Sequence, residues 1–250
     1  MNAARSGSNE GGMDIETLAT KIRRRFHTTR ADVEWMWSTQ HERREGWVDL
    51  YQQSWSDPHR GVLLRCLEQL GPHESLLELG CNAGPNLIAI SKGLSAVPAR
   101  MHGIDLNAPA VEAARGYFER AGWRHISVER GLLPEAAAPI GDRSWDAVIA
   151  IAHLMHLAPG AFEQTLAHAQ RIARRHLIIM DLHQFKQFQG ARPVSLRRSP
   201  MERWRRDWWS CFRPHADWEI DIQEMPPDAN LADIGDINAL VVARRRRSRA

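Results

Sequence analysis

From residue 75 onward, short apolar runs bounded by glycine, proline or charge alternate with longer stretches that are apolar on one face only. Short continuous runs suit strands buried on both faces, and the longer one-sided stretches suit amphipathic helices. Strands are expected near 75–80, 100–105, 126–130, 145–151 and 176–181, and helices near 85–94, 109–121, 160–173 and 200–212. His176-Leu177-Ile178-Ile179-Met180-Asp181 is a good buried strand. Trp218–Met225 and Asn238–Ala243 are two further strand candidates, separated by a Pro-Pro-Asp-Ala-Asn turn and an acidic loop. Alternating strand and helix imply a parallel sheet covered on both faces, an α/β fold.

Upstream of residue 75 the pattern is helical alone. Asp14 can cap a helix reaching Arg25, with Ile15, Leu18, Ala19 and Ile22 on one face. Trp47, Tyr51 and Trp55 recur every four residues and would share one helix face. Asp57-Pro58 breaks that helix and starts another, His59–Leu70, with Val62, Leu63, Cys66, Leu67 and Leu70 inward, before Gly71-Pro72 ends it. Residues 1–12 are small and polar without an apolar core, which fits a disordered tail and not a secretory signal. The expected organisation is a tail over 1–12, a helical cap or lid over 13–70, a core over 71–245 and a basic tail over 246–250.

Composition narrows this picture in three ways. The 250 residues can bury a full core, and 43% apolar with 25% charged content is ordinary for a globular chain. No stretch approaches about 18 uninterrupted apolar residues, so no membrane span is expected. Cys66, Cys81 and Cys211 are scattered, with neither metal spacing nor a disulfide framework, which points to a reduced, cytoplasmic setting. The formal net charge is only +3, yet arginines cluster at Arg23–Arg25, Arg43-Arg44, Arg197-Arg198, Arg203 with Arg205-Arg206, and Arg244–Arg247. Such runs can track phosphates. Arg244–Arg247 follow the last strand candidate and read more simply as a solvated tail.

The richest segment is Leu76-Leu77-Glu78-Leu79-Gly80-Cys81-Asn82-Ala83-Gly84-Pro85-Asn86-Leu87. It reads as a strand ending in a carboxylate, a tight glycine loop and the first turn of a helix. Such a loop brings backbone N–H groups close to a small charged ligand. Gly80 and Gly84 allow a close approach, and Asn82 is a residue type that tolerates a left-handed backbone. About twenty residues on, Met101-His102-Gly103-Ile104-Asp105-Leu106-Asn107 gives a second strand ending in an acid, a spacing that lets Asp105 meet ribose hydroxyls. A nicotinamide or flavin dinucleotide loop would be G-x-G-x-x-G. Here its middle glycine, which gives a pyrophosphate room, is replaced by Asn82.

The E-x-G-x-N-x-G loop, the Gly103-Ile104-Asp105 strand end and Trp145-Asp146-Ala147-Val148-Ile149-Ala150-Ile151-Ala152-His153-Leu154-Met155-His156-Leu157 together resemble the sequential signatures of class I S-adenosylmethionine-dependent methyltransferases. The resemblance covers roughly residues 57 to 245. It implies a Rossmann-like, seven-stranded, mostly parallel sheet with helices on both faces and one antiparallel strand near the end. It also implies S-adenosylmethionine as cofactor, held by Glu78, Gly80, Asn82, Gly84, Asn86, Asp105, Leu106, Leu132 and Ile151. The family often carries an acid near the adenine at the end of the third strand. In Glu129-Arg130-Gly131-Leu132-Leu133 that acid is missing, and packing on Leu132 and Leu133 is its expected substitute.

Methyl transfer from a sulfonium needs a positioned nucleophile and, for a hydroxyl, a base. His156, and after it His153, sit just past the fourth strand and are the catalytic candidates. His183, beside Asp181, is a further candidate near the acceptor. Either histidine of the pair could equally cap or pack the next helix. No metal site is expected. Seven of the ten tryptophans fall within 35–55 and 204–209. Trp204, Trp208, Cys211 and Phe212 would share one side of a helix there. Trp47, Tyr51, Trp55 and Trp208, with His183, are therefore candidates to meet the acceptor, although aromatics at helical spacing also build cores. The expected function is methyl transfer to a small-molecule acceptor, oxygen before nitrogen. An RNA or protein methyltransferase using the arginine clusters, and a non-catalytic cofactor-binding interaction protein, are the alternatives. The Asn- or Asp-Pro-Pro-Tyr motif of amino methylation is absent after the fourth strand, which weighs against a nucleic-acid acceptor.

Overall fold

The computed structural model describes residues 45–183, 194–198, 201–229 and 237–246, together with Trp35, Trp37 and Thr39. The expected tail over 1–12 and helix over 14–25 lie outside the described residues. Helices α1 (Trp47–Gln53) and α2 (Pro58–Leu70) lead into β1 (Ser75–Leu79), α3 (Pro85–Gly93), β2 (Arg100–Asp105), α4 (Ala108–Arg120), β3 (Ile126–Arg130), β4 (Trp145–Ile151), α5 (Pro159–Ile172) and β5 (Ala173–Asp181). A hairpin of β6 (Val194–Arg198) and β7 (Met201–Arg205) follows, then α6 (Trp208–Phe212), β8 (Trp218–Glu224) and β9 (Ala239–Arg245).

Seven strands form one sheet in the order β3-β2-β1-β4-β5-β9-β8. β1 to β5 pair in parallel, and β9 runs antiparallel between β5 and β8. This is the expected Rossmann-like sheet. The central strands are buried along their whole length because each faces a helical layer on either side. On one face Leu76, Ile149 and Met180 pack with Leu63 and Leu67 of α2, Ile88 of α3 and Phe118 of α4. On the other, Leu77, Val148 and Ile179 pack with Phe162 and Leu166 of α5 and with Trp208 and Phe212 of α6.

Three expectations are corrected here. The helix over 200–212 is a strand followed by a single helical turn. Ser195 pairs with Trp204 across the β6–β7 hairpin, and Asp207 stops any helix from reaching back by capping α6, its carboxylate accepting from the Trp209 N–H at 3.1 Å. The cap does not extend to residue 70: α2 buries Val62, Leu63, Cys66 and Leu67 in the sheet's own core. Arg244 and Arg245 are not part of a solvated tail. Both belong to β9, and Arg245 lies over the Trp218 ring at 4.4 Å while donating to the Ala173 carbonyl at 3.0 Å.

The strand order reverses between β1 and β4, one pointing chain connections toward β2 and the other toward β5. Open α/β sheets bind ligands in the crevice at the carboxyl ends of the strands beside such a switch.

Candidate active site

A cavity of about 570 Å³ opens at this point, floored by the ends of β1, β2 and β4. The glycine loop is laced to the end of β2: the Gly80 and Cys81 N–H groups both donate to the Ile104 carbonyl, at 2.8 and 3.1 Å. The Asp105 carboxylate accepts from the backbone N–H of Asn82 at 2.7 Å and of Asn107 at 2.8 Å. An ionised carboxylate offers about four lone-pair sites. Two such bonds therefore leave Asp105, which lines the cavity, able to accept two hydroxyls. Gly80 has φ +81° and Asn82 φ +48°, the left-handed conformations that their residue types suit.

Gly80 is also where backbone and base candidate meet. A Cβ on Gly80 would stand 2.2 Å from both Cγ and Nδ1 of His153. The imidazole thus rests on the glycine loop. Its Nε2 is buried with no hydrogen-bond partner. Burial holds the ring's pKa below the ordinary histidine value, against an opposing pull from Asp105, so His153 is neutral at pH 7. His156, one short 3-10 turn further on, is 5% exposed and meets Trp37 edge-on, ring centroids 4.5 Å apart.

Beneath the loop, Glu78 is fully buried. Asn86 donates to it at 2.6 Å and in turn accepts from the Arg60 Nε–H at 2.8 Å. Desolvation raises the Glu78 carboxyl to about 8, with Asn86 and Arg60 pulling the other way. The second Glu78 oxygen has no partner. Burial lowers Arg60 to about 10, and burial together with Arg60 lowers His59 to about 3. Arg60 therefore stays cationic at pH 7 and His59 neutral.

Of the residues expected from sequence to hold cofactor, Gly80, Asn82, Asn86, Asp105, Leu106, Leu132 and Ile151 line the cavity, as do His153, His156, Trp47 and Tyr51. Glu78 stands one shell back, behind Asn86. Gly84 faces away: it turns the chain into α3 at φ +80°, with Phe118 Cζ 2.6 Å from where its Cβ would be. Three acceptor candidates lie elsewhere. Trp55 falls beyond the end of α1, in a 3-10 turn that swings it over Lys92, 4.4 Å from its ring centroid. Trp208 is fully buried in the core, its indole N–H on the Leu182 carbonyl at 3.1 Å. His183 is 2% exposed and accepts from the Trp208 backbone N–H at 3.3 Å. Sequence reasoning missed Trp37, Arg60 and Asn107 as cavity residues. Asn107 caps α4 through its side chain and also donates to the Trp37 carbonyl at 2.8 Å, tying the N-terminal segment across the site. An Asn at a helix start was a visible signal, whereas its second bond to residue 37 was not.

Residues 76–176 match the family model described as "Methyltransferase domain". No curated protein sequence matches the chain. Among solved structures, the chain is similar to Burkholderia thailandensis 1,6-didemethyltoxoflavin-N1-methyltransferase at 18% identity and a TM-score of 0.57, covering 96% of this chain and 94% of that one. It is similar also to the magnesium protoporphyrin IX methyltransferase of Synechocystis, at 12% identity and a TM-score of 0.54 over 95% of this chain and 100% of that one. Haemonchus contortus phosphoethanolamine N-methyltransferase 1 gives a TM-score of 0.63 at 14% identity, over 90% of this chain and 52% of that one. The match to the methyltransferase-domain model falls on the strands that floor the cavity, and nearly the whole chain shares the fold of these solved methyltransferases.

Proposed function

We propose that the chain moves a methyl group from S-adenosylmethionine to a small-molecule acceptor, to oxygen in preference to nitrogen, with His153 as the base. The observation that carries this reading is one cavity that gathers the Gly80 cradle, the Asp105 carboxylate and the two histidines. The fit to the cofactor rests on three features: a loop whose Gly80 lines the cavity without a side chain, a carboxylate with lone pairs to spare for ribose, and Arg60, a buried cation at the cavity wall suited to a carboxylate. Leu106 and Leu132 supply apolar walls suited to a base. The bound cofactor would supply an activated methyl on a sulfonium. The chain's task is then to align the acceptor and take its proton. His153 suits that task because its neutral imidazole lies against Gly80 of the glycine loop and has a buried Nε2 with no other partner. Trp37, Trp47 and Tyr51 give the cavity an aromatic wall that favours a planar acceptor.

The test has two stages. Purified protein should bind S-adenosylhomocysteine by calorimetry and ignore nicotinamide and flavin cofactors. Metabolite and RNA fractions are then screened with radiolabelled methyl donor. With an acceptor fraction in hand, His153→Ala should lower single-turnover methyl transfer by about 10²–10⁴-fold at unchanged cofactor affinity. Label entering only RNA would overturn the small-molecule reading, and a parental rate in His153→Ala would remove it as the base.

A further inference from the structure

Behind the cavity, a buried carboxyl group and a buried guanidinium grip the turn that carries both histidines. The turn Leu154–His156 follows Ala152, whose φ of +53° bends the chain sharply off β4. A turn this short satisfies few of its own backbone groups: His156 N–H reaches the His153 carbonyl at 3.0 Å and Leu157 N–H the Leu154 carbonyl at 3.1 Å. Three further bonds come from outside the turn. Asp181, at the end of β5 and fully buried, accepts the Met155 N–H at 2.8 Å. Arg206, 1% exposed, donates to the Leu154 carbonyl at 2.9 Å and to the Leu157 carbonyl. A buried carboxyl oxygen thus accepts from a donor of the turn, and a guanidinium holds two of its acceptors.

Arg206 is itself fixed on several sides. Its guanidinium lies over the Phe162 ring of α5 at 3.7 Å. Phe162 meets Trp208 edge-on at 5.5 Å. The backbone of Arg206 bridges to His183, and His183 is anchored through its own N–H to the Asn238 side chain at 2.7 Å. Neither Arg206 nor Asp181 lines the cavity. Desolvating a guanidinium costs several kcal/mol, and an apolar side chain of similar volume is often as stabilising or more so. Packing alone would not keep a cation here, but bidentate hold on two carbonyls does what an apolar side chain cannot.

We infer that Arg206 and Asp181 are positioning residues for methyl transfer, acting by fixing the turn that presents His153 and His156. This rests on the proposed role of the histidine turn, and its failure is distinguishable because cofactor affinity reports on the other half of the site.

The experiment compares the parent with Arg206→Met, Arg206→Lys and Asp181→Asn. Calorimetry reads S-adenosylhomocysteine affinity, amide hydrogen exchange reads the Met155 N–H, and nitrogen-detected magnetic resonance reads the imidazole shifts and titrations of His153 and His156. Single-turnover transfer to the acceptor fraction reads the chemical step. Arg206→Met should keep cofactor affinity within about twofold. Its Met155 exchange should accelerate at least tenfold, its His153 titration should shift toward the ordinary range, and transfer should fall by about 10²-fold, as expected for a displaced reacting group. Arg206→Lys should recover part of the protection and part of the rate, because one ammonium can hold one of the two carbonyls. Parental exchange and parental imidazole titrations in Arg206→Met would overturn the inference. Should that variant fail to fold, the same parental result in Arg206→Lys would overturn it. Loss of S-adenosylhomocysteine binding in the parent would refute the cofactor reading instead.

Discussion

Gly80→Ala is the most demanding single perturbation of this site, because it adds one methyl where the backbone and the candidate base meet. Two costs act. Gly80 has φ +81°, and an L-residue in the left-handed region costs about 1–2 kcal/mol. A gain of about 0.4–1 kcal/mol from the stiffer unfolded chain offsets part of that. The second cost is steric: the new Cβ would lie 2.2 Å from His153 Cγ and Nδ1 and 2.7 Å from its Cβ. Carbon contacts settle near ~3.5–4.0 Å, so the ring must withdraw by more than about 1 Å. Rotation about χ1 cannot clear the His153 Cβ, and the turn itself must shift. Overpacking of this kind costs about 1–3 kcal/mol. The expected loss is therefore roughly 2–4 kcal/mol, read from urea unfolding at constant m-value. Gly84→Ala is the control. Its φ of +80° gives the same backbone cost, but its clash is with Phe118 on α4, away from the cavity. Both variants should lose stability, whereas only Gly80→Ala should weaken S-adenosylhomocysteine binding per folded molecule. The decisive measurement is the double mutant with His153→Ala. It removes the two ring atoms and leaves the Cβ, so rescue should be partial, with a coupling of about 1–2 kcal/mol. Additivity within about 0.3–0.5 kcal/mol would refute the contact and with it the position of the base.

Two further variants separate the remaining parts of the cofactor half. Asp105→Ala should weaken S-adenosylhomocysteine by about 1.5–3 kcal/mol through loss of charge-assisted bonds to ribose, and unchanged affinity by calorimetry would take Asp105 out of the site. Glu78→Gln addresses pH. The folded carboxyl holds its proton up to about 8, whereas the unfolded one releases it near 4.5. The native state therefore binds the extra proton between those values, and raising pH across that window weakens the parent. Each pKa unit is worth about 1.4 kcal/mol, so the parent should lose a few kcal/mol on this account that Glu78→Gln does not. Urea melts at pH 5 and pH 8.5 compare the two proteins, since Asp181, raised to about 7 by burial, adds a slope of the same sign to both. An equal decline in parent and variant would refute the buried, protonated Glu78.

Which parts of this site could be read from sequence follows from how far apart its partners lie along the chain. The cofactor half is built from strand ends and the turns directly after them. Apolar runs such as Val148-Ile149-Ala150-Ile151 mark the strands, and Gly80, Asn82 and Asp105 carry backbone demands that few other residues meet. Periodicity failed where a residue's neighbour is remote. Trp204, Trp208, Cys211 and Phe212 fit a helical stripe, yet Ser195 claims Trp204 for a hairpin, and Asp207 begins the helix only after it. Trp55 continues a four-residue series from Trp47, but α1 ends at Gln53 and the tighter 3-10 turn redirects it. Arg60 looks like a surface position at the start of α2, and only the fold reveals Asn86 beside it.

The same division bears on how acceptor choice can vary. The cofactor half is locked by bonds among adjacent strand ends, Gly80 and Cys81 to Ile104 and Asp105 to Asn82 and Asn107. These bonds involve no residue from the segments around 37–51 or 201–212. The aromatic wall of Trp37, Trp47 and Tyr51 comes from the first of those segments, and the hold of Arg206 on the histidine turn comes from the second. Each is a long-range contact superimposed on a cradle that is complete without it. Changes in either segment can therefore reshape the aromatic wall or shift the candidate base without breaking the bonds that hold Asp105 and the glycine loop. In this chain the arginine-rich stretch Arg203-Trp204-Arg205-Arg206 gains a reading that charge alone did not suggest. At least one of its cations is turned inward, gripping backbone carbonyls behind the histidines, and is not available on the surface for phosphates.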